Sequence, residues 1–276
     1  MVRSGNATKG LVVVYGVILC LTIASFFVLP TQHPKAIVGE PHKNGIVGIS
    51  YDESLRLLES MTLDDIVREP ERLTDVFARR ISHYWPAPGQ VDPEVFYSFV
   101  ENWFLAVAQR VEGFFVRLGL VRPRLVRVER RAYRAALAGG VGYCSQVALA
   151  IADYMPSNTS AGIVPLGGHV VAFAHLGSSN YVLDGDYNVT FKVGDGPPST
   201  WGGAVRTAYA KAGYSPSVVE SVARIYERSK AQGPVRTIAY EPKSFFLDHF
   251  YIQLTIVLGL VLLYGILGSR YSRSGG

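Results

Sequence analysis

Cysteine is scarce in this sequence: its 276 residues contain two, Cys20 and Cys144. Cys20 lies inside a long apolar run, so it cannot form a disulfide with Cys144 in a folded domain outside that run. The cysteines and the scattered histidines also lack the spacing of a structural zinc site. Cys144 is therefore the only thiol in the polar part of the chain, and a lone cysteine accompanied by histidine is a candidate nucleophile. The alternative is an inert buried cysteine in an unrelated α+β fold.

Two other kinds of site lack the residues that they need. The basic cluster between Arg122 and Arg134 has no interleaved aromatic platform, and the net charge is only +5, so the sequence gives no support for a nucleic-acid partner. No acidic loop with the ligand pattern of a calcium site is present. We therefore expect an activity that needs no metal and no cofactor.

Long apolar runs occur near both ends of the chain. Leu11–Leu29 and Phe250–Gly268 contain no charged residue, and each is close to the roughly 20 residues with which a helix crosses a bilayer. We predict one transmembrane helix at 11–29 and another at 248–268. The alternatives are a cleavable signal peptide for the first run, although it is longer than a signal h-region, and a buried core helix for the second.

The short tails outside these runs predict the topology. Both tails, 1–10 and 269–276, are basic, and their cations are Arg3, Lys9, Arg270 and Arg273. Short positive tails prefer the cytoplasm. We therefore expect a two-pass protein of the inner cell membrane, with both tails cytoplasmic and the long middle part on the extracytoplasmic side.

The middle part begins with a linker and a helical region. Residues 30–50 are rich in Pro, Gly, His and Lys, which is typical of a linker that leaves the membrane. Residues 51–128 show helical periodicity, and their longest stretch, Pro93 to Leu120, repeats apolar residues every three or four positions. We expect this stretch to be an amphipathic core helix. The alternative is a helix that lies against the membrane surface.

Residues 129–247 change from helical to strand-like periodicity. One helix is predicted from Glu129 to Ala138, and another opens at Cys144. Short β-like runs separated by glycine-containing turns follow, and they are Gly162–Leu166, Val170–His175 and Tyr181–Leu183. Helices followed by an antiparallel sheet predict an α+β fold.

Three residues in this domain suit nucleophilic catalysis by a thiol. Cys144 stands where a glycine-rich loop meets a helix N-terminus, whose free N–H groups and dipole favour a thiolate. His169 follows Gly167-Gly168 at a strand edge and can hold or exchange the proton. Asp184 ends the next strand, and an antiparallel pair can bring it to His169 to orient the imidazole.

The three motifs around these residues resemble those of transglutaminase-like domains, in the same chain order. They are Gly142-Tyr143-Cys144-Ser145-Gln146, Gly167-Gly168-His169-Val170-Val171 and Tyr181-Val182-Leu183-Asp184. The resemblance covers about residues 129–192 and implies a papain-like core, in which a Cys-bearing helix packs on an antiparallel sheet. With Glu101-Asn102-Trp103, the motifs also resemble bacterial membrane-anchored members of this superfamily, some of them associated with surface-polysaccharide genes.

The resemblance implies a catalytic domain at 129–247, placed between two transmembrane helices, with the triad Cys144, His169 and Asp184. Such a thiol enzyme attacks an amide or ester and passes a thioester to water or to an amine, as a peptidase, amidase or acyltransferase. The implied partners are a peptide, amide or amine substrate, the lipid bilayer, and other proteins of surface-polymer assembly. The alternative function is a non-catalytic membrane partner in the assembly or export of a surface polysaccharide.

Alternatives for individual roles stay open at this point. The family often has Asp-Pro where this chain has Asp184-Gly185, and Asp186 is the rival for the orienting acid. His175 is the rival imidazole, and we expect it to be solvated at a strand end. The oxyanion donor has three candidates, which are the backbone N–H of Cys144 and the side chains of Gln146 and Asn102.

Overall fold

The computed structural model describes residues 4–27, 48–84, 93–236 and 242–274. The chain divides into two units, with residues 1–29, 89–128 and 245–276 in the first and residues 30–88 and 129–244 in the second. The predicted helical region 51–128 is thus shared between the units, because periodicity identifies a helix but not the partner against which it packs. The predicted linker 30–50 lies mostly outside the described residues.

The secondary structure combines helices with a small antiparallel sheet, so the predicted α+β fold is confirmed. In chain order the helices are α1 (Ser4–Ala24), α2 (Tyr51–Glu59), α3 (Leu63–Arg68), α4 (Pro70–Arg80), α5 (Trp103–Arg117), α6 (Tyr133–Gly139), α7 (Cys144–Tyr154), α8 (Gly202–Lys211), α9 (Pro216–Glu227) and α10 (Pro242–Ser274). The strands are β1 (Ser82–His83), β2 (Val141–Gly142), β3 (Ser160–Pro165), β4 (Val170–Leu176), β5 (Ser179–Asp184) and β6 (Val189–Val193).

The sheet of the second unit is a four-stranded meander in the order β3-β4-β5-β6. Its first three strands coincide with the three predicted β-like runs. The strand β6 was not predicted, although Val189, Phe191 and Val193 alternate with polar residues as a half-buried strand requires. Gly177 has φ +60 in the turn between β4 and β5, a conformation that favours glycine.

Helices cover both faces of this sheet. Successive strand residues point to opposite sides, so Ala172 and Ala174 of β4 pack with Ile151 of α7. Phe173, between them, joins an aromatic cluster with Tyr226 of α9. The sheet is therefore a middle layer, with the Cys-bearing helix α7 on one face and α8 and α9 on the other. Small alanines on the α7 face let that helix approach closely.

The first unit contains α1, α5 and α10. Within α10, Phe246–Leu267 is long and apolar enough to cross a membrane, and it is the one such helix in the described part of the chain. It corresponds to the span predicted at 248–268. The apolar part of α1, Lys9–Ala24, is shorter, so the prediction of a second helix of this kind at 11–29 is not confirmed.

The stretch predicted as one helix from Pro93 to Leu120 begins later than expected. Pro93–Val95 forms a single 3₁₀ turn, and α5 starts at Trp103 because the side-chain oxygen of Asn102 accepts the Leu105 N–H at 3.1 Å as an N-cap. The expectation that the apolar stripe faces the core holds only at its start. Phe96 is buried and Trp103 is half-buried, but the stripe residues Phe99, Val107, Val111 and Phe115 are exposed.

Candidate active site

Cys144 is half-buried at the first position of α7. The chain reaches it through β2, which pairs in parallel with β1. Tyr143 is extended, with φ −81 and ψ 172, so the chain turns into the helix at the cysteine itself. The N–H groups of a first helical turn have no partners within the helix, so Cys144 starts from a turn with free N–H donors.

Gln146 fixes the backbone before the thiol. Its buried side chain lies against Gly142, where a Cβ atom would come within 2.3 Å of the Gln146 Cγ atom. The side-chain oxygen of Gln146 accepts the backbone N–H of Arg130 at 2.7 Å, and the side-chain nitrogen donates to the backbone carbonyl oxygen of Arg130 at 2.6 Å. Because both polar atoms of this side chain bond the Arg130 backbone, Gln146 has a structural role and does not supply an oxyanion donor. Its side chain does not face solvent.

Of the other two oxyanion candidates, Asn102 belongs to the first unit. Its amide nitrogen donates to the Leu247 carbonyl oxygen at 3.0 Å while its oxygen caps α5. Both polar atoms of this side chain are therefore engaged, the oxygen in capping α5 and the nitrogen in joining α5 to α10. The backbone N–H of Cys144 stays as the candidate donor at the thiol.

His169 and Asp184 come together, as the sequence predicts. The His169 Nε2 atom lies 2.6 Å from Asp184 Oδ2, and both side chains are buried. Ala172 pairs with Leu183, so Val171 comes opposite Asp184 and His169 reaches the carboxylate diagonally rather than directly across the hairpin. A turn closed by the Leu166 N–H donating to the His169 carbonyl oxygen at 2.8 Å holds the histidine in place.

The Asp184 carboxylate is surrounded by donors. Its Oδ2 atom accepts the Tyr209 hydroxyl in addition to His169. Its Oδ1 atom accepts the backbone N–H groups of Asp186 at 3.1 Å and Tyr187 at 3.3 Å. Four hydrogen bonds to one buried carboxylate fix its orientation. The sequence pattern did not indicate Tyr209, which is distant in the chain and reads as an ordinary core residue of α8.

The charge of Asp184 sets the protonation of His169. Burial lowers the pKa of His169, but the Asp184 carboxylate and a hydrogen bond with Cys144 outweigh it and hold that pKa well above its usual value. Since Asp184 occupies Nε2, the remaining ring nitrogen, Nδ1, is the one left for the thiol. The geometry therefore supports a charged imidazole beside the thiol of Cys144.

Tyrosine rings shield this pair from water. The Tyr187 ring meets the His169 ring edge-on, with centroids 5.5 Å apart, and packs on Tyr209 and Tyr214. Burial, followed by the nearby Asp184 charge, raises the pKa of Tyr187 and Tyr209 above the usual tyrosine value. These phenols are therefore neutral, and Tyr209 keeps its proton to donate to Asp184.

Asp186, the rival acid, forms a buried pair with His83. His83 lies on β1 beside Gly142, and the Asp186 N–H donates to Asp184. The pair therefore joins β1, the neighbour of the strand before Cys144, to the loop after Asp184. His83 was outside the predicted site, and no short-range pattern links it to Asp186. His175, the rival imidazole, lies exposed near the end of β4 and bonds Asn180 at 2.8 Å.

No group of three or more histidine, cysteine or acidic side chains in the described ranges could hold a metal ion. Comparisons of the chain with protein-family models, with curated proteins and with solved structures return no match. The resemblance to transglutaminase-like domains therefore depends on the three motifs, and the site is interpreted from its own geometry.

Proposed function

We propose that this chain is a membrane-anchored thiol enzyme of the transglutaminase-like superfamily, with a papain-like core. Its nucleophile is Cys144, its proton carrier is His169, and its orienting acid is Asp184. One observation carries the proposal. A cysteine at a helix N-terminus shares a hydrogen bond with a buried histidine, whose other nitrogen is held by a carboxylate with four donors.

The proposed reaction is acyl transfer. The Cys144 sulfur attacks the carbonyl carbon of an amide or ester, and the N–H of Cys144 stabilises the developing oxyanion. The charged His169 gives its proton to the departing nitrogen or oxygen, which leaves a thioester on Cys144. Neutral His169 then takes a proton from water or an amine as that group attacks, and the thiolate is regenerated. The first acceptor gives hydrolysis and the second gives transfer.

We expect rapid alkylation of the Cys144 thiol if this proposal is right. Iodoacetamide at pH 6 should modify Cys144 in a Cys20→Ser protein about 10 to 100 times faster than in the same protein with His169→Asn, because the imidazolium stabilises the thiolate. Intact-mass measurement over time gives both rates. Equal rates in the two proteins would support the inert-cysteine alternative.

Location in a cell membrane, with both tails cytoplasmic, is part of the same proposal. The apolar Phe246–Leu267 segment of α10 supports one crossing. The apolar part of α1, Lys9–Ala24, extends about 24 Å at 1.5 Å per residue, which is short of a hydrocarbon core of about 30 Å. Polar bonds also join α1 to α10, from Thr22 to Thr255 at 2.8 Å and from Ser25 to Tyr251 at 2.6 Å.

Protease accessibility tests this topology. Trypsin added to intact spheroplasts of a bacterial host should cleave the chain between residues 31 and 248, because this part lies outside the cytoplasm. A cytoplasmic marker protein in the same spheroplasts must stay intact. If the chain is cleaved only after the spheroplasts are lysed, the proposed orientation is wrong.

A further inference from the structure

A cavity of about 900 Å³ lies in the second unit, outside the residues used in the proposed reaction. One wall is the end of β3 and the turn after it, Pro165 to Gly167. The other wall is the outer side of α9 and the residues that follow it, including Arg224, Arg228 and Lys230.

The first wall also carries the candidate imidazole. Leu166 lines the cavity and donates its N–H to the His169 carbonyl oxygen at 2.8 Å. A Cβ atom at Gly167 or Gly168 would meet nothing within 4 Å, so open space lies beside this turn. A ligand in the cavity would therefore contact the turn that positions His169.

The lining of the cavity is positively charged. Arg224, Arg228 and Lys230 are exposed cations, and none of them forms a salt bridge with another described residue. The acid in the lining, Glu220, already accepts two hydrogen bonds from Arg206, at 2.8 and 3.2 Å. Arg224 also lies within electrostatic reach of Glu220 and Glu227, but the three cations outnumber the one acid in the lining, so the cavity carries an excess of positive charge.

We propose that this cavity binds an anionic group of the substrate, a carboxylate or a phosphate, next to the acyl group that Cys144 attacks. This inference rests on the proposed thiol chemistry. The cations attract and hold the anion, and the open glycine turn lets the acyl portion extend towards His169.

Two acyl donors of equal length test the charge preference. Mono-4-nitrophenyl glutarate carries a carboxylate where 4-nitrophenyl valerate carries a methyl group. The glutarate-to-valerate ratio of Cys144 acylation rates should fall at least about threefold in Arg224→Glu/Arg228→Glu at low ionic strength. The matched control Lys211→Glu, a cation of α8 outside the cavity, should keep the wild-type ratio.

The outcomes separate this inference from the proposed function. Fast acylation with an unchanged ratio in the double variant overturns the anion site alone. Failure of Cys144 to be acylated by either ester overturns the proposed function. The double variant should react with the valerate ester at close to the wild-type rate, and this result shows that the variant is folded.

A separate observation concerns the surface of α5 in the first unit. Val107, Val111, Phe114 and Phe115 are 40% to 60% exposed. Leu118, Leu120 and Val121 extend this apolar surface beyond the end of the helix. We refer to these seven residues as the α5 apolar face, and its exposure contrasts with the buried Leu105 and Val116 on the other side of the helix.

The α5 apolar face belongs to the same unit as the candidate span. The Asn102 side chain at the start of α5 donates to the Leu247 carbonyl oxygen, and the Phe104 ring packs on the Phe250 ring with centroids 5.2 Å apart. The indole of Trp103 donates to Thr255 at 3.3 Å. These contacts join α5 to the first turns of the Phe246–Leu267 segment, where a span meets the membrane interface.

A basic segment is held beside this face. The Glu112 carboxylate accepts the backbone N–H groups of Arg124, Leu125 and Val126 at 2.6 to 3.0 Å and folds the segment back onto α5. The side chains of Arg117, Arg122 and Arg124 are exposed there. An apolar face bordered by arginines is complementary to acyl chains below anionic headgroups.

We infer that the α5 apolar face lies in the headgroup and acyl boundary of an anionic bilayer, next to the N-terminal end of the span. The 15 residues of α5 are too few to cross the hydrocarbon core, so the helix enters one leaflet. The arginines contact lipid phosphates at the edge of the face.

Fluorescent labelling tests this placement in the full chain. Val111→Cys, in a Cys20→Ser/Cys144→Ser background, is labelled with NBD and reconstituted into vesicles of phosphatidylcholine and phosphatidylglycerol. A blue-shifted emission, quenched by a lipid with a nitroxide near its headgroup, is expected. The matched control Lys211→Cys should emit as in water and resist quenching.

Water-like emission at position 111, equal to that at position 211, would overturn the inference.

The charge contribution is measured separately. Arg122→Glu/Arg124→Glu should reduce quenching at position 111 in anionic vesicles and leave it unchanged in purely zwitterionic ones. Reduced quenching in both kinds of vesicle would contradict a role for headgroup charge.

Discussion

Asp184→Asn is expected to lower the rate of acyl transfer by about 10²- to 10⁴-fold, which is the contribution of a positioned proton carrier. The amide keeps the shape of the carboxylate but removes the charge that raises the pKa of His169. It also cannot accept all the hydrogen bonds of His169, Tyr209 and the backbone. Hydrolysis of 4-nitrophenyl acetate by wild type and variant gives the ratio.

Asp186→Asn is the matched control for this prediction. It removes an equally buried carboxylate two residues away, but the side chain of Asp186 contacts His83, and its backbone N–H, which serves Asp184, is retained. We expect less than a tenfold loss of rate in this variant. A larger loss from Asp186→Asn than from Asp184→Asn would reverse the assignment of the orienting acid.

The second large effect is on stability as a function of pH. Burial opposes the charged form of His169, but Asp184 and Cys144 raise its pKa in the folded protein. The folded state therefore binds this proton more tightly than the unfolded chain, whose histidine has a pKa of about 6.5. The stabilisation is complete below that pH and is lost as the pH rises through the higher folded value. In the Cys144→Ala protein, where no thiol gives up a proton that offsets the one on His169, the free energy of unfolding should fall by up to about 1.4 kcal/mol per pH unit in that window.

Chemical denaturation in detergent between pH 6 and 9, with every protein in the Cys144→Ala background, measures this dependence. Adding His169→Asn should give a shallower pH dependence over the same range because it removes the titrating group. Adding His175→Asn should leave the Cys144→Ala curve unchanged, since His175 is exposed. Parallel curves for Cys144→Ala with and without His169→Asn would contradict a raised His169 pKa.

Local sequence features predicted much of the candidate site. A glycine-rich loop before Cys144 and two glycines before His169 indicate a helix start and a tight turn from backbone properties alone. Strand order then brings Asp184 close to His169. Tyr209 and His83 were missed because each joins the site through tertiary packing, from an element whose own sequence carries no sign of its partner.

The errors in predicting the fold from the sequence have a related cause. Periodicity correctly identified the three strands β3, β4 and β5, because alternation depends on neighbouring residues. The apolar stripe through Val107 and Val111 was assigned to the core, since apolar faces of helices usually pack on protein. The buried side of α5 instead includes the polar Gln109, whose side chain bonds the Tyr97 N–H at 2.7 Å and the Leu125 carbonyl oxygen at 3.0 Å.

Trapping of an acyl group on Cys144 tests the central claim most directly. The Cys20→Ser protein is mixed with 4-nitrophenyl acetate, quenched in acid, and analysed by intact mass and peptide mapping. A burst of nitrophenolate with one acetyl group on Cys144 is predicted, absent from Cys144→Ala and much slower in His169→Asn. Acetylation that is equally fast in the His169→Asn protein, or that occurs at lysines while Cys144 stays unmodified, would contradict the account.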